Sequence, residues 1–324
     1  MNKKTLPVLV LCLLFFCCEK SKIDERIVRH GYGPSISPKE HIVAFLAIEG
    51  EIPDVELKGY IWDISEKKAL GNFGDGMLRH SSISWSPDGK KIAAVGSADL
   101  KSNIWIFDPW GKEEPTMMTD YQRKPYKDYW VSSDGKFGVI IKQGMQNPSW
   151  SPIGEYIAYS YHDQEKMTIW IVSMNDKRME QLTQGPRDDE PCFSPDGSCI
   201  IYTACSCENG REIMQVILKD RTIHPLISSP YKEAEPAWSP DGEYIAFISD
   251  RDGTDQIWIR SIPDSLEYQF TTEKGVSCYT PTWTPDGRYI LYHKGGVGGI
   301  WIKEFDFEKL RTPPVIHLSQ HSVF

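Results

Sequence analysis

One phrase returns six times along this 324-residue chain, and nothing else in it constrains the fold as tightly. Its fullest copy reads Pro236-Ala-Trp-Ser-Pro-Asp-Gly-Glu-Tyr-Ile-Ala-Phe-Ile-Ser249, followed after a polar loop by Gln256-Ile-Trp-Ile259. The Ser-Pro-Asp-Gly corner recurs at 86–89, 194–197 and 239–242, with looser copies at 37–40, 151–154 and 284–287. The second half recurs at Trp62, Trp105, Trp170, Met214, Trp258 and Trp301, in steps of 43, 65, 44, 44 and 43 residues. A period in the low forties with strand-like content means an array of β units in which each unit needs its neighbours to bury its faces.

Each corner has a mechanical reading. Proline presets φ near −65° and glycine accepts positive φ without a Cβ clash, so the corner closes a tight hairpin. Short β-rich apolar runs bounded by turn residues flank it. A third strand lies around the tryptophan, and a fourth ends in Leu182-Thr183, Leu226-Ile227 or Phe270-Thr271. Four short antiparallel strands per period make one propeller blade, so the expected fold is an all-β, six-bladed β-propeller of four-stranded antiparallel blades. The aromatic stripe is packing between blades: Trp85, Trp150, Phe193, Trp238 and Trp283 are expected at equivalent buried positions, with Ile36 in the first repeat.

The phrase resembles the TolB-like propeller repeat, a family related to the carboxy-terminal domain of the periplasmic protein TolB, and the resemblance covers roughly residues 33 to 304. It implies an exported envelope protein. In TolB the propeller engages the peptidoglycan-associated lipoprotein, so the resemblance implies a protein or peptide partner in the cell envelope. The same blades occur in surface lipoproteins and in prolyl oligopeptidase-like enzymes, and oligogalacturonate lyases use a related propeller with histidines and a metal near the channel.

The 65-residue step carries an insertion near 120–143, where Tyr129–Ile141 reads as an added hairpin with its own Asp-Gly turn. Residues 31–324 are read as a single propeller, preceded by a short linker at 19–30 and without the α/β domain that precedes the propeller in TolB. At the amino terminus Lys3 and Lys4 precede an apolar run, Leu6–Phe16, that ends on Cys17-Cys18. That run is too short to span a bilayer and has the shape of a signal-peptide core, so residues 1–18 are read as a lipoprotein-type signal. Cys18 is favoured as the lipidated residue over Cys17, which places the chain on the periplasmic or cell-surface side of a bacterial membrane. A monomer is expected.

A net charge of −9 gives no basic footprint and argues against nucleic acid as the partner. There is no Gly-x-Ser-x-Gly elbow and no His-Glu-x-x-His, and the eight histidines are scattered. His80 and His293 alone are expected near the channel, and no catalytic residue is assigned. Cys192, Cys199, Cys205 and Cys207 fall within one repeat, where a Cys192–Cys199 bridge is open and the Cys-x-Cys pair is a weak metal signal, so no metal site is assigned.

The residue preceding each first-strand proline should stand where that strand enters the channel. By offset these are Gly33, Ser82, Asn147, Glu190, Glu235 and Thr280. Asn147, Glu190, Glu235 and Thr280 are the candidate ligand-binding residues, with Asp188, Asp189 and Glu233 adding negative charge just upstream. Two carboxylates from adjacent repeats suit Ca²⁺ or a basic group on a peptide, although no cofactor is required. Solvated carboxylates capping turns are the alternative for these residues. The functional expectation is a non-catalytic binding module acting through the channel face. A polysaccharide-binding or metal-assisted polysaccharide-processing propeller is the alternative.

Overall fold

The computed structural model describes residues 24–28, 31–39, 41–49, 56–97, 102–120, 127–131, 137–141, 144–163, 165–206, 210–296 and 299–306. Among them every regular element is a strand, and six four-stranded antiparallel sheets follow one another as blades. The chain opens with β1 (Asp24–Val28). Blade 1 is β2 (Tyr32–Ile36), β3 (Ile42–Glu49), β4 (Glu56–Asp63) and β5 (Lys68–Phe73). Blade 2 is β6 (Leu78–Trp85), β7 (Ile92–Gly96), β8 (Asn103–Phe107) and β9 (Thr116–Met117). The insertion holds a separate hairpin, β10 (Lys127–Val131) paired with β11 (Phe137–Ile141). Blade 3 is β12 (Gly144–Trp150), β13 (Tyr156–His162), β14 (Met167–Ser173) and β15 (Met179–Gln181). Blade 4 is β16 (Asp188–Phe193), β17 (Cys199–Ser206), β18 (Gly210–Ile217) and β19 (Ile223–Ile227). Blade 5 is β20 (Glu233–Trp238), β21 (Tyr244–Ser249), β22 (Gln256–Ser261) and β23 (Glu267–Gln269). Blade 6 has β24 (Cys278–Trp283), β25 (Tyr289–Lys294) and β26 (Ile300–Glu304).

The missing outer strand of blade 6 is β1, which pairs antiparallel with β26 from Asp24↔Lys303 to Val28↔Ile300. The ring is therefore closed by the first and last described strands, and the span read as a linker carries the closing strand. Five residues without a corner motif give no periodic signal, which is why the repeat pattern passes over them. Ile27 and Val28 are buried against Val43, Phe45, Ile300 and Ile302, so the closing strand is also the packing between the last blade and the first.

The corner chemistry repeats with small variation. Glycine donates its N–H back to the first corner residue at 2.9–3.0 Å in Ser86–Gly89, Ser194–Gly197 and Ser239–Gly242. The corner hydroxyl donates to the aspartate at 2.6 Å in Ser86–Asp88 and Ser194–Asp196 and at 2.5 Å in Ser239–Asp241 and Thr284–Asp286. Hydrogen bonds from Ser86 and Ser194 hold Asp88 and Asp196 below the usual carboxylate range. Gly197, at φ +71°, sets its α-carbon against Pro152 of the preceding corner, so successive corners nest around one face of the ring. A second device fixes the outer strands. Thr119, Thr183 and Thr271 accept the N–H of Ile104, Ile169 and Ile257 at 2.8–2.9 Å, which explains why threonine follows the apolar residue there.

The aromatic stripe is not uniform. Trp85, Phe193 and Trp283 are buried, and the indoles of Trp85 and Trp283 donate to the Ser35 and Ala237 carbonyls of the preceding blade at 3.0 and 3.1 Å. Trp150, Trp238 and Ile36 are only half-buried. The four described cysteines, Cys192, Cys199, Cys205 and Cys278, are free thiols, and Cys207 lies outside the described residues. Cys192 pairs with Ile201 while Cys199 pairs with Ile217, so the ladder does not set those two thiols opposite each other.

Candidate functional site at the channel mouth

All six first-strand residues identified by offset line the central channel, a cavity of about 660 Å³. Five of them, Gly33, Asn147, Glu190, Glu235 and Thr280, have φ between +49° and +59°. Each precedes a proline, and in each of their strands the register skips the X-Pro pair: the ladder passes from Ala234↔Ile248 straight to Ala237↔Ala246 in blade 5. Proline has no N–H to contribute, so bulging the pair out sacrifices little pairing and turns the preceding N–H sideways across the ring. Ser82, followed by Ile83 in place of proline, is the exception and lacks the positive φ. A left-handed conformation in a residue with a Cβ is disfavoured, and at Glu190, Glu235 and Thr280 it is offset because the turned N–H finds an acceptor on the preceding blade.

Those partners are the ring side chains themselves. Glu190 Oε2 accepts the Glu235 N–H at 2.9 Å, and Glu235 Oε2 accepts the Thr280 N–H at 2.5 Å. Asn147 Oδ1 accepts the Ser82 N–H at 3.3 Å, and its amide donates to Asp189 at 2.8 Å. Thr203 donates to Glu190 at 2.7 Å, and Ser160 donates to Asp189 at 2.6 Å. The channel residues thus latch blades 2 through 6 together. Burial, reinforced by Asp189, pushes the Glu190 pKa up. Burial, reinforced by Glu190, pushes Glu235 up as well. Two buried carboxyls on adjacent blades, each raising the other, disfavour ionising both at once.

The neighbouring acids divide. Asp189 belongs to the latch, and Asp188 is buried and accepts the Gly185 N–H at 3.0 Å. Glu233 does not add charge to the channel, contrary to the sequence expectation. Its fully buried side chain pairs with Arg251 at 2.8 Å, and Arg251 in turn meets Glu267 and stacks 4.4 Å above Trp258. Strand alternation alone would put 233 and 235 on one face, and the bulge between Ala234 and Ala237, with Glu235 at φ +51°, turns them apart. On the opposite wall His293 lines the channel as the sequence suggested, and two tyrosines that sequence reasoning missed flank it: Tyr279 stacks on its imidazole at 6.1 Å, and Tyr32 meets it edge-on at 6.5 Å. Tyr32 and Tyr279 stand one residue before Gly33 and Thr280, a position the offset argument could have included. His80 has no described side chain, and Cys17 and Cys18 lie outside the described residues. Among the described residues no group of three or more His, Cys, Asp or Glu side chains is gathered as metal ligands, and no helix is long and apolar enough to cross a membrane.

The elevated pKa values carry a pH consequence. A carboxyl that binds its proton more tightly when folded stabilises the fold fully below the ordinary glutamate range, and that stability is lost as pH rises through the folded value. Glu235→Gln keeps an acceptor oxygen for the Thr280 N–H but cannot ionise. The expected result is a flatter decline of stability above pH 5 in the variant than in the parent, read as denaturation midpoints between pH 5 and pH 9. Parallel declines would contradict a raised pKa at Glu235.

Residues 119–316, more than half of the chain, match the family described as the TolB beta propeller domain, PD40. A TolB homolog of Chlorobium luteolum is 28% identical over 112 residues, which cover 35% of this chain and 25% of that protein. The chain spans about half or less of the length of the curated relatives it matches. Among solved structures, TolB from Acinetobacter baumannii aligns with a TM-score of 0.52 and 15% identity, over 82% of this chain and 80% of that one. An oligogalacturonate lyase in complex with manganese aligns with a TM-score of 0.57 and 13% identity, over 89% and 94%. At such identities both likenesses concern the fold.

Proposed function

The chain belongs to the TolB beta propeller domain family, and from that premise we propose a non-catalytic binding module of the bacterial cell envelope, anchored to a membrane at Cys18. Its ligand is a cationic segment of an envelope protein or peptide, received at the channel mouth by Glu190 and Glu235 with Asn147 and Thr280 beside them. The homolog named as a Tol-Pal system protein TolB, from Nitrosococcus oceani, supports an envelope protein as the partner.

One observation carries this reading. Asn147 supplies a latching oxygen to a neighbouring blade with an uncharged amide, so a latch of this kind does not need a carboxylate. The charge at Glu190 and Glu235 is surplus to it, and burial makes that charge unfavourable until a cation compensates it. An arginine or lysine side chain entering the channel supplies that compensation together with charge-assisted hydrogen bonds.

The test is anisotropy of a labelled arginine-rich peptide against the parent, Glu190→Gln/Glu235→Gln, and Glu155→Gln/Glu243→Gln as an equal charge change on the opposite face. Binding should weaken by more than tenfold in the channel pair alone, since a charge-assisted pair is worth about 1.5–3 kcal/mol. Equal weakening in both variants would reduce the effect to net charge, and manganese-dependent cleavage of oligogalacturonate by the parent chain would favour the lyase reading. Anchoring has its own check. Cys17→Ser/Cys18→Ser should move the protein from the detergent phase to the aqueous phase, because stable attachment needs a multiply acylated anchor or a second membrane signal. Unchanged partitioning would contradict the anchor.

A further inference from the structure

The direction of β1 says which way a tethered propeller faces. Asp24 pairs with Lys303, and Tyr289, which follows the last corner, pairs with Glu304, so β1 starts at the face that carries the corners. It runs toward Val28↔Ile300, on the side of the channel mouth. Five residues lie between Cys18 and Asp24, and the six extended Cα–Cα steps from one to the other reach about 20 Å. The strands of blade 6, which β1 joins, hold five or six residues, a height of about 17–20 Å before any loop is added. With the mouth pressed toward the membrane, Asp24 would stand a full blade height above it and the tether would be spent. With the corner face down, the tether is more than sufficient.

The corner face is built for such contact at blades 1 to 3. The loop after β8 presents Trp110 with 43% of its surface exposed. That loop is fixed by Asp108, whose carboxylate accepts the N–H groups of Trp110, Lys112 and Glu113 at 2.8–3.1 Å. In the corner of blade 3 the usual aspartate is replaced by Ile153, which is 68% exposed. A groove beside Trp110 carries Lys39, Lys90, Lys91 and Lys112, and ion pairs with Asp88 and Glu113 engage Lys90 and Lys91. Resting on the anchor reading above, we infer that this corner face docks on the phospholipid surface, with Trp110 and Ile153 at the headgroup level and Lys39 and Lys112 toward lipid phosphates. Tryptophan favours that depth, and basic residues at an anionic surface add to attachment. The channel mouth is then held away from the bilayer and open to a partner approaching from the aqueous side.

Hydrogen exchange on the full chain reconstituted into vesicles of phosphatidylcholine and phosphatidylglycerol tests this. Segments 86–91, 108–113 and 151–155 should exchange severalfold more slowly than in detergent, while 146–148, 233–236 and 279–281 stay unchanged. Trp110→Ala/Ile153→Asp should erase that protection without detaching the chain, and Lys39→Gln should lower vesicle affinity of the unanchored form about fivefold. Protection at the mouth, or at neither face, would overturn the inference. A chain that fails to reconstitute defeats the anchor reading only. The same exchange measurement on a chain held to nickel-chelating lipid by a hexahistidine tag in place of residues 1–18 then decides which face meets the lipid.

Discussion

Removing residues 24–28 should leave a propeller that cannot close and a protein that no longer unfolds as one cooperative unit. Burial of Ile27 and Val28 alone is worth about 3–6 kcal/mol at 1.5–3 kcal/mol for each aliphatic side chain. The deletion also uncovers the apolar surface of Val43, Phe45, Ile300 and Ile302 and leaves β26 as an unpaired edge. That total is comparable to the whole stability of an ordinary domain. Thermal unfolding and limited proteolysis would report the loss, and a synthetic peptide of residues 22–30 added in trans should restore part of it. A truncated chain with the parental midpoint would show that closure rests elsewhere.

Trp283→Ala is the second large effect. The indole is 5% exposed, donates to the Ala237 carbonyl at 3.1 Å, and meets Phe305 edge-on at 4.8 Å. Truncation leaves a cavity at the junction of blades 5 and 6 and an unpaired carbonyl, for an expected cost of about 3–5 kcal/mol. The equivalent Trp238 is half-buried and makes no such hydrogen bond within the described residues, so Trp238→Ala should cost less. Denaturant midpoints of the two variants give the comparison directly, and equal losses would contradict the distinction between the two sites.

The contrast between those tryptophans marks where the repeat pattern stops being informative. The period and the Ser-Pro-Asp-Gly corner prescribe hairpins and blades through local turn chemistry, so the fold and the blade order were legible before any coordinates. The offset from the corner proline also placed Gly33, Ser82, Asn147, Glu190, Glu235 and Thr280 around one channel. What the offset could not convey is which neighbour each side chain touches. Glu233 and Glu235 look alike as letters, yet one is matched to Arg251 and the other latches Thr280, because a bulge separates them. Nor could it reveal β1, whose pairing with β26 spans nearly the entire chain and depends on no local motif. The wall of Tyr32, Tyr279 and His293 draws on blades 1 and 6, which meet only when the ring closes.

The claim on which the functional account depends is that the Glu190–Glu235 pair holds a proton that a cationic ligand displaces. Calorimetric titration of the arginine-rich peptide at pH 7, in two buffers of different ionisation enthalpy, measures that proton directly. The account predicts binding with net proton release, weakened by added salt, and loss of both the affinity and the release in Glu190→Gln/Glu235→Gln. Binding of undiminished affinity in that variant, or binding whose heat is independent of the buffer, would contradict it.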